Sequence, residues 1–358
     1  MTASQRLVHD AEGLNSGVAP RATADEYITP TARFFTRSHA PVPQVDPRTW
    51  RLEVGGLVER PLRLSLDDLA GFPRHEVTAT LVCAGLRRAE LAAVGGLHGE
   101  LPWGAEAVSN GRWAGVALGE VLRGAGVTSA ARFVEFLGLD QVERDGHCFA
   151  FGASIDLDKA LSDEVILATE LNGEPLPPAH GAPLRAIVPG FIGARSVKWL
   201  GQIGLSAAPT SNYFQTRAYR IQRTVEAGDP RSVAGGAAIT GVPLNAVITE
   251  PRSGPVPAGT VLVRGWAMGS AGRAITSVQV SGSAGRDWVP ARIVAGGGPW
   301  AWVFWEAELT LPPGGHTLVV RASDGSNAVQ PSDLADAWNV KGYSNNAWHR
   351  VTLSVEQP

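Results

Sequence analysis

The sequence predicts an α+β protein, with a mixed α/β domain first and an all-β immunoglobulin-like sandwich after it. Up to about residue 225, short helix signatures alternate with β-type runs. Beyond "VEAGDPRSVAGGAAITG" the helical patterns stop, and roughly seven β-type runs follow with Gly, Pro, Asn and Asp between them. The 42 Gly and 25 Pro residues supply turns enough for many short elements. The expected division is a loosely held polar tail over 1–25, a first domain over 26–235 and a second over 236–358.

The elements follow in order. From Trp50, "WRLEVGGL" alternates apolar and polar residues, the period of a half-buried strand. "SLDDLAGF" begins with a Ser N-cap and carries acids in its first turn, so it predicts a short helix. "EVTATLV" is a β-branched run leading into Cys83. "VALGEVLRGAG" predicts a helix stopped by glycine, because glycine tolerates the left-handed conformation that ends a helix. "ARFVEFLGLD" predicts a strand ending at Asp140, and "DLDKALSDEVILATELN" mixes both signals. "LRAIVPGFIGARSVKWLGQIGLS" predicts two strands around a Pro-Gly turn. In the second domain "NAVITE", "TVLVRGWAM", "ITSVQVSG", "WVPARIV", "WAWVFWEAEL", "HTLVVRAS" and "WHRVTLSV" predict strands.

Composition narrows the function. A net charge of −3 argues against a general nucleic-acid or membrane-surface binder. No apolar run approaches the roughly 18 residues of a spanning helix. Two cysteines make no disulfide framework and fit a reducing compartment. The first residues, "MTASQRLVHDAEGLNSGVAP", contain no basic region followed by an apolar stretch and no twin arginine, so a cytoplasmic protein is expected.

The residues that could carry chemistry cluster around "VCAGLRR". Cys83 stands where a strand meets a turn, with Arg87 and Arg88 behind it. A thiolate there could ligate a metal or act as a nucleophile, and a buried core cysteine is the plain alternative. No Cys or His lies at zinc-ligand spacing from it. Arg37, Arg87, Arg88, Arg185, Arg195 and Lys198 sit in turns among apolar residues and glycines. Such charges need partners: either structural ion pairs or an oxyanion gripped by the planar guanidinium fork. His39 and His180 sit in Pro/Gly-rich turns, and Tyr219 has arginines nearby. The glycines of "GGLHGELPWGA" match no nucleotide-binding loop.

The order of motifs adds a resemblance. "FFTRSHAPVP", "LVCAGLRR", "WAGVALGEVL", "FLGLD", "FGASIDLDKAL", "LNGEPLPPAHGAPLRAIVPGFIGARSVKWL" and "QPSDLADAWNVKGYSNNAWHRV" together resemble the sulfite oxidase family of molybdenum enzymes, over about residues 27–356. The resemblance implies a molybdopterin-binding catalytic domain over 26–235 and an immunoglobulin-like dimerisation domain over 236–358, hence a homodimer. It implies that Cys83 ligates molybdenum beside a pyranopterin dithiolene. The cofactor pocket would comprise Phe35, Thr36, Arg37, Ser38, His39, Asp140, His180, Arg185, Ser196, Val197 and Lys198. The substrate would meet Arg37, Arg88, Trp103, Tyr219 and Lys341.

The implied activity is oxidation of sulfite to sulfate by oxygen-atom transfer at a Cys-ligated dioxo-molybdenum centre. Electrons would pass to a separate acceptor, a c-type cytochrome or oxygen, since the chain has no C-x-x-C-H haem motif. Alternatives are a relative acting on nitrate, a sulfane sulfur carrier or a sulfoxide, or a non-catalytic binding protein. Leu86 and Ser38 stand where the family usually has Asn, and Lys341 stands where it has a substrate arginine. The run "AELAAVGGLHGELP" is one residue longer than usual, with His98 or its neighbours in place of a basic residue.

Overall fold

The computed structural model describes residues 6–18, 26–97, 100–144, 146–225, 229, 231–326 and 328–357. Two sheets organise the first part of the chain. One runs Glu174–Pro175, Ile166–Leu171, Val108–Ala117, Arg74–Val82, with Arg185–Ile187 also on Ile166–Leu171, all antiparallel. The other runs Leu62–Leu64, Leu52–Gly56, Leu200–Ser206, Phe133–Arg144, His147–Asp156, with one parallel pair between Leu52–Gly56 and Leu200–Ser206.

A buried apolar cluster joins the two sheets, with Val116 and Leu167 from the first and Leu52, Phe136, Ile155 and Ile203 from the second. The helix Leu118–Ala125 adds Leu118, Val121 and Leu122, and ends at Gly126 with φ +74°, as the glycine stop signal predicts. The helix Leu66–Ala70 opens with a full capping box: Ser65 accepts from Asp68 N–H, and the Asp68 carboxylate accepts from Ser65 N–H.

The first sheet is covered on both faces. Alternate residues of Ile166–Leu171 enter different cores: Leu167 the cluster just described, Ile166 and Ala168 a second one. That second cluster joins Leu81, Trp103 and Trp113 to Trp266, Trp302 and Tyr343 of the later part of the chain.

The later part is two facing sheets. One holds Asn245–Glu250, Gly259–Met268, Val303–Leu311 and Arg292–Ala295; the other holds Gly254–Pro257, His349–Glu356, Gly314–Asp324, Ile275–Ser281 and Val289–Pro290. Alternate residues fill the space between them: Val303, Trp305, Ala307 and Leu309 from one sheet, Leu318, Val320, Leu353 and Val355 from the other.

Two expectations need correction. The polar start of the chain is not a loose tail where it is described: Arg6–Val8 pairs with Ser16–Val18, and the Arg6 guanidinium donates to Ser16 Oγ (2.7 Å) and the Phe34 carbonyl (2.9 Å). Its order comes from tertiary polar contacts, which leave no apolar periodicity. The two strands predicted around Pro189-Gly190 are present, Arg185–Ile187 in the first sheet and Leu200–Ser206 in the second. "WVPARIV" splits, with Val289–Pro290 on one sheet of the later part and Arg292–Ala295 on the other. The strand Gly254–Pro257 was not among the predicted runs; at a sheet edge, proline's missing N–H costs no ladder bond. His98 lies outside the described residues, as do residues 1–5 and 19–25 of the predicted tail.

Candidate active site

The strand Arg74–Val82 delivers Cys83 to a turn at the point where the sheet ends. Cys83 N–H donates to the Ala107 carbonyl (3.0 Å), and Leu86 N–H closes the turn onto the Cys83 carbonyl (3.0 Å). Gly85 N–H donates to Cys83 Sγ (3.4 Å). A Cβ at Gly85 would lie 2.6 Å from the Arg88 guanidinium carbon, so any side chain there must displace that guanidinium.

Two further segments face Cys83. The first is 34–39, which follows the 3-10 turn Thr31–Arg33. It is held from both sides. Phe35 N–H donates to Ser109 Oγ (3.0 Å), Thr36 pairs by backbone with Ser16, and Asn15 Oδ1 accepts from Ser38 N–H and from Arg37 (both 3.0 Å). The second is the crossing between the two sheets, residues 188–199. Its Ser196 hydroxyl accepts from Val188 N–H (3.0 Å), and its Lys198 ammonium donates to Ser38 Oγ (2.6 Å) and the Ala179 carbonyl (3.1 Å). Arg185 bonds the carbonyls of His180 (2.8 Å) and Ser196 (3.0 Å) and lies over the Trp113 ring.

These segments line one cavity. Phe35, Thr36, Arg37, Ser38, His39, Cys83, Asp140, His180, Arg185, Ser196, Val197, Lys198 and Tyr219 all line it. Its charged lining is Arg37, Arg185 and Lys198 against one carboxylate, Asp140. Burial and the neighbouring cations hold the lining histidines neutral. His180 is pushed down to about 3 by burial, then by Arg185 and Lys198, and His39 lies well below its ordinary value by burial, then by Arg37. Burial lowers Arg185 to about 9, and burial followed by Arg185 holds Lys198 well below the usual lysine range. Burial raises Asp140 to about 6 against the pull of Lys198. Arg185 Nε and Asp140 Oδ1 are buried without a hydrogen-bond partner. Cations this crowded and this poorly paired are suited to an anionic ligand.

Tyr219 faces the cavity from another side. Its hydroxyl and His39 Nε2 are 2.7 Å apart, and burial lifts that hydroxyl to about 12. Arg88, Trp103 and Lys341 are not cavity-lining residues. Arg88 donates to the carbonyls of Lys341 (2.8 Å) and Leu101 (3.0 Å), with its guanidinium 5.1 Å above the Tyr343 ring. Lys341 Nζ is bonded to Glu100 (2.8 Å). Trp103 is fully buried against His9, 4.4 Å between ring centres, with its Nε1 unpartnered.

Arg87 leaves the anion cluster that sequence placement suggested. Its fully buried guanidinium is shared between Glu90 (2.8 and 2.6 Å), Asn245 (2.9 Å) and the Ala347 carbonyl (2.8 Å), so it is a structural ion pair. Arg195 is also absent from the lining and donates to the Ile239 carbonyl (2.7 Å).

Sequence reasoning missed Phe34, Phe151, Trp199 and Tyr343. Phe34 and Trp199 adjoin predicted site residues and could have been taken with them. Phe151 lines the cavity from the hairpin partner of the Asp140 strand, and Tyr343 packs 5.4 Å from Tyr219; no local signal marks either.

Among the described residues no three of His, Cys, Asp and Glu converge on one point. A metal at Cys83 therefore needs ligands brought by a cofactor. The donor set fits a dithiolene pterin: one thiol for the metal, and a basic cleft for a phosphate-bearing ring system.

Comparison with known proteins matches residues 39–214 to an oxidoreductase molybdopterin binding domain and residues 236–356 to a Mo-co oxidoreductase dimerisation domain. The mitochondrial sulfite oxidase of Homo sapiens is 40% identical over 97% of this chain, which spans 65% of that relative's length. The sulfite oxidase of Arabidopsis thaliana is 33% identical over 97% of this chain and 93% of its own. A nitrate reductase of Hordeum vulgare is 36% identical over 95% of this chain and 40% of its own. The solved sulfane dehydrogenase SoxCD from Paracoccus pantotrophus superposes with a TM-score of 0.82 at 27% identity, over 99% of this chain and 90% of that one. No helix among the described residues is long and apolar enough to cross a membrane.

Proposed function

The chain belongs to the sulfite oxidase family of molybdopterin-dependent oxidoreductases, and from that premise we propose that it oxidises sulfite to sulfate and passes the electrons to a separate acceptor, a c-type cytochrome or oxygen. The observation that carries this reading is Cys83, a single thiol in the wall of a cavity whose charged lining is basic except for Asp140. In the proposal Cys83 holds molybdenum, while segment 34–39, Asp140, His180, Arg185 and 196–198 hold the pterin and its phosphate. When bound, the molybdenum centre supplies the two-electron oxygen-atom chemistry.

The chain's own residues supply orientation and field. Arg37 places a fixed positive charge beside Cys83 and Tyr219, where charge moves during the reaction. The Tyr219 hydroxyl stays protonated across the physiological range and can donate toward a substrate oxygen, with its orientation set by His39. The enclosing aromatics Phe34, Phe35 and Phe151 exclude water, which strengthens each of these interactions.

The division into a catalytic domain over 26–235 and an immunoglobulin-like domain over 236–358 is part of the proposal, supported by the facing sheets of the later residues. Homodimerisation through that second domain is supported by its family match. A cytoplasmic location is part of the proposal and rests on the low cysteine content of the sequence. A second reading, a sulfane sulfur substrate, is favoured by one observation: both cations at the substrate side, Arg88 and Lys341, already have a carboxylate partner in Glu100.

Protein purified from a molybdenum-replete host with active cofactor synthesis is expected to carry stoichiometric molybdenum and to reduce ferricyanide or a c-type cytochrome when given sulfite. Cys83→Ser should lose the metal. Metal-free wild-type protein would overturn the enzyme reading, and turnover of nitrate or a sulfane without sulfite turnover would overturn the substrate.

A further inference from the structure

A compact cluster lies beside the Cys83 turn, outside the cavity proper. The Arg88 guanidinium packs against Gly85, two residues from Cys83. Glu100 reaches both cations on this side: its Oε1 accepts from Lys341 Nζ at 2.8 Å, and its Oε2 lies 3.6 Å from Arg88. The Glu100 and Lys341 side chains are largely buried, at 17% and 14% exposure, and Arg88 more so at 4%, so the three charges act on one another with little screening. Tyr343 links the cluster to the cavity, with Arg88 above its ring and Tyr219 5.4 Å away. Glu100 also falls in the "AELAAVGGLHGELP" run that departs from the family pattern.

We propose that Glu100 is a specificity-determining residue: it is the internal counter-ion of Arg88 and Lys341, and it weakens the hold on dianions relative to monoanions at the substrate side of the site, so that dianionic sulfate is released and not trapped. The inference rests on the reading that Arg88 and Lys341 face the substrate. Two cations would otherwise make this side a strong sulfite trap. With Glu100 between them the local sum falls to one positive charge, and an entering dianion must share the cations with a fixed carboxylate. The repulsion from Glu100 scales with ligand charge, so it penalises a dianion twice as much as a monoanion and a neutral sulfur compound not at all. Gln at 100 keeps an acceptor for Lys341 and removes the charge, which isolates the electrostatic effect from packing.

The test is equilibrium binding of sulfate and of nitrate to the holoenzyme at fixed ionic strength, measured by calorimetry in wild type, Glu100→Gln, Glu100→Asp, Lys341→Gln and the Glu100→Gln/Lys341→Gln double variant. Glu100→Gln is expected to bind sulfate at least about tenfold more tightly, with a smaller gain for nitrate. Glu100→Asp, which keeps the charge, should stay near wild type, and the double variant should lose the gain. If Glu100→Gln leaves sulfate affinity unchanged or weaker while Lys341→Gln still weakens it, Glu100 is only a brace and the inference is overturned with the substrate side intact. If Lys341→Gln changes nothing in either background, these cations do not meet the anion, and the reading beneath the inference is overturned as well.

Discussion

Replacing Arg87 with Met tests how the Cys83 turn is held against the later part of the chain. Arg87 is fully buried and makes four hydrogen bonds, two to Glu90, one to Asn245 and one to the Ala347 carbonyl. Asn345 returns a bond to the Arg87 carbonyl (3.0 Å), so one residue ties the turn to two later segments. Burial acts to raise the Glu90 carboxyl, and Arg87 overrides it, leaving the group below its ordinary value. Methionine fills most of the volume but leaves Glu90 charged, half-buried and unpaired by Arg87. Breaking a buried pair in this way costs about 3–5 kcal/mol.

For 358 residues, at about 2.1 cal/mol/K of unfolding entropy each, that loss corresponds to a midpoint about 4–7 °C lower. Unfolding followed by the summed fluorescence of the tryptophans, six of which are fully buried, would read the loss. A second Glu90→Leu change should restore much of the loss, since it removes the stranded charge. A single variant within about 1 kcal/mol of wild type, or a double variant no better than the single, would refute the reasoning.

Other outcomes follow from the same geometry. Gly85→Ala should push the Arg88 guanidinium off its carbonyl partners, destabilise the protein by about 1–3 kcal/mol and weaken sulfate binding, read by unfolding and calorimetry. Lys198→Met should lower the pterin content of purified protein and let His180 titrate above about 3, which proton NMR of the metal-free protein would follow. His349, pushed down to about 4 by burial and then by Arg87, accepts from Ile248 N–H through Nδ1. The unfolded chain therefore binds the extra proton below the ordinary value of 6.5, and the stability present above pH 6.5 is lost as pH falls toward 4, by up to about 3 kcal/mol. His349→Asn keeps the acceptor without the titration and should flatten that acid limb in unfolding measurements across pH; an unchanged limb would assign it elsewhere.

Much of this was legible in local pattern. The strand into Cys83, the capped helix Leu66–Ala70 and the glycine-stopped helix Leu118–Ala125 each follow from signals a few residues long. The motif order placed Cys83, Asp140, His180, Arg185 and Lys198, and those residues do share one cavity. The pairing of the strands around Pro189-Gly190 was not legible, because an apolar run buried on both faces carries no mark of which sheet it joins.

The amino-acid sequence by itself determined most of the elements, the strand that leads into the Cys83 turn, and the family. Tertiary structure alone decided what each charge is for. Arg87, Arg88, Arg185 and Lys198 look alike as basic residues in turns, yet Arg87 binds the later strands, Arg88 shares Glu100 with a lysine 241 residues from that glutamate, and Arg185 and Lys198 face the cavity. Backbone conformation answers to near neighbours, whereas the partner of a buried charge is set by whichever segment the fold brings within a few ångströms.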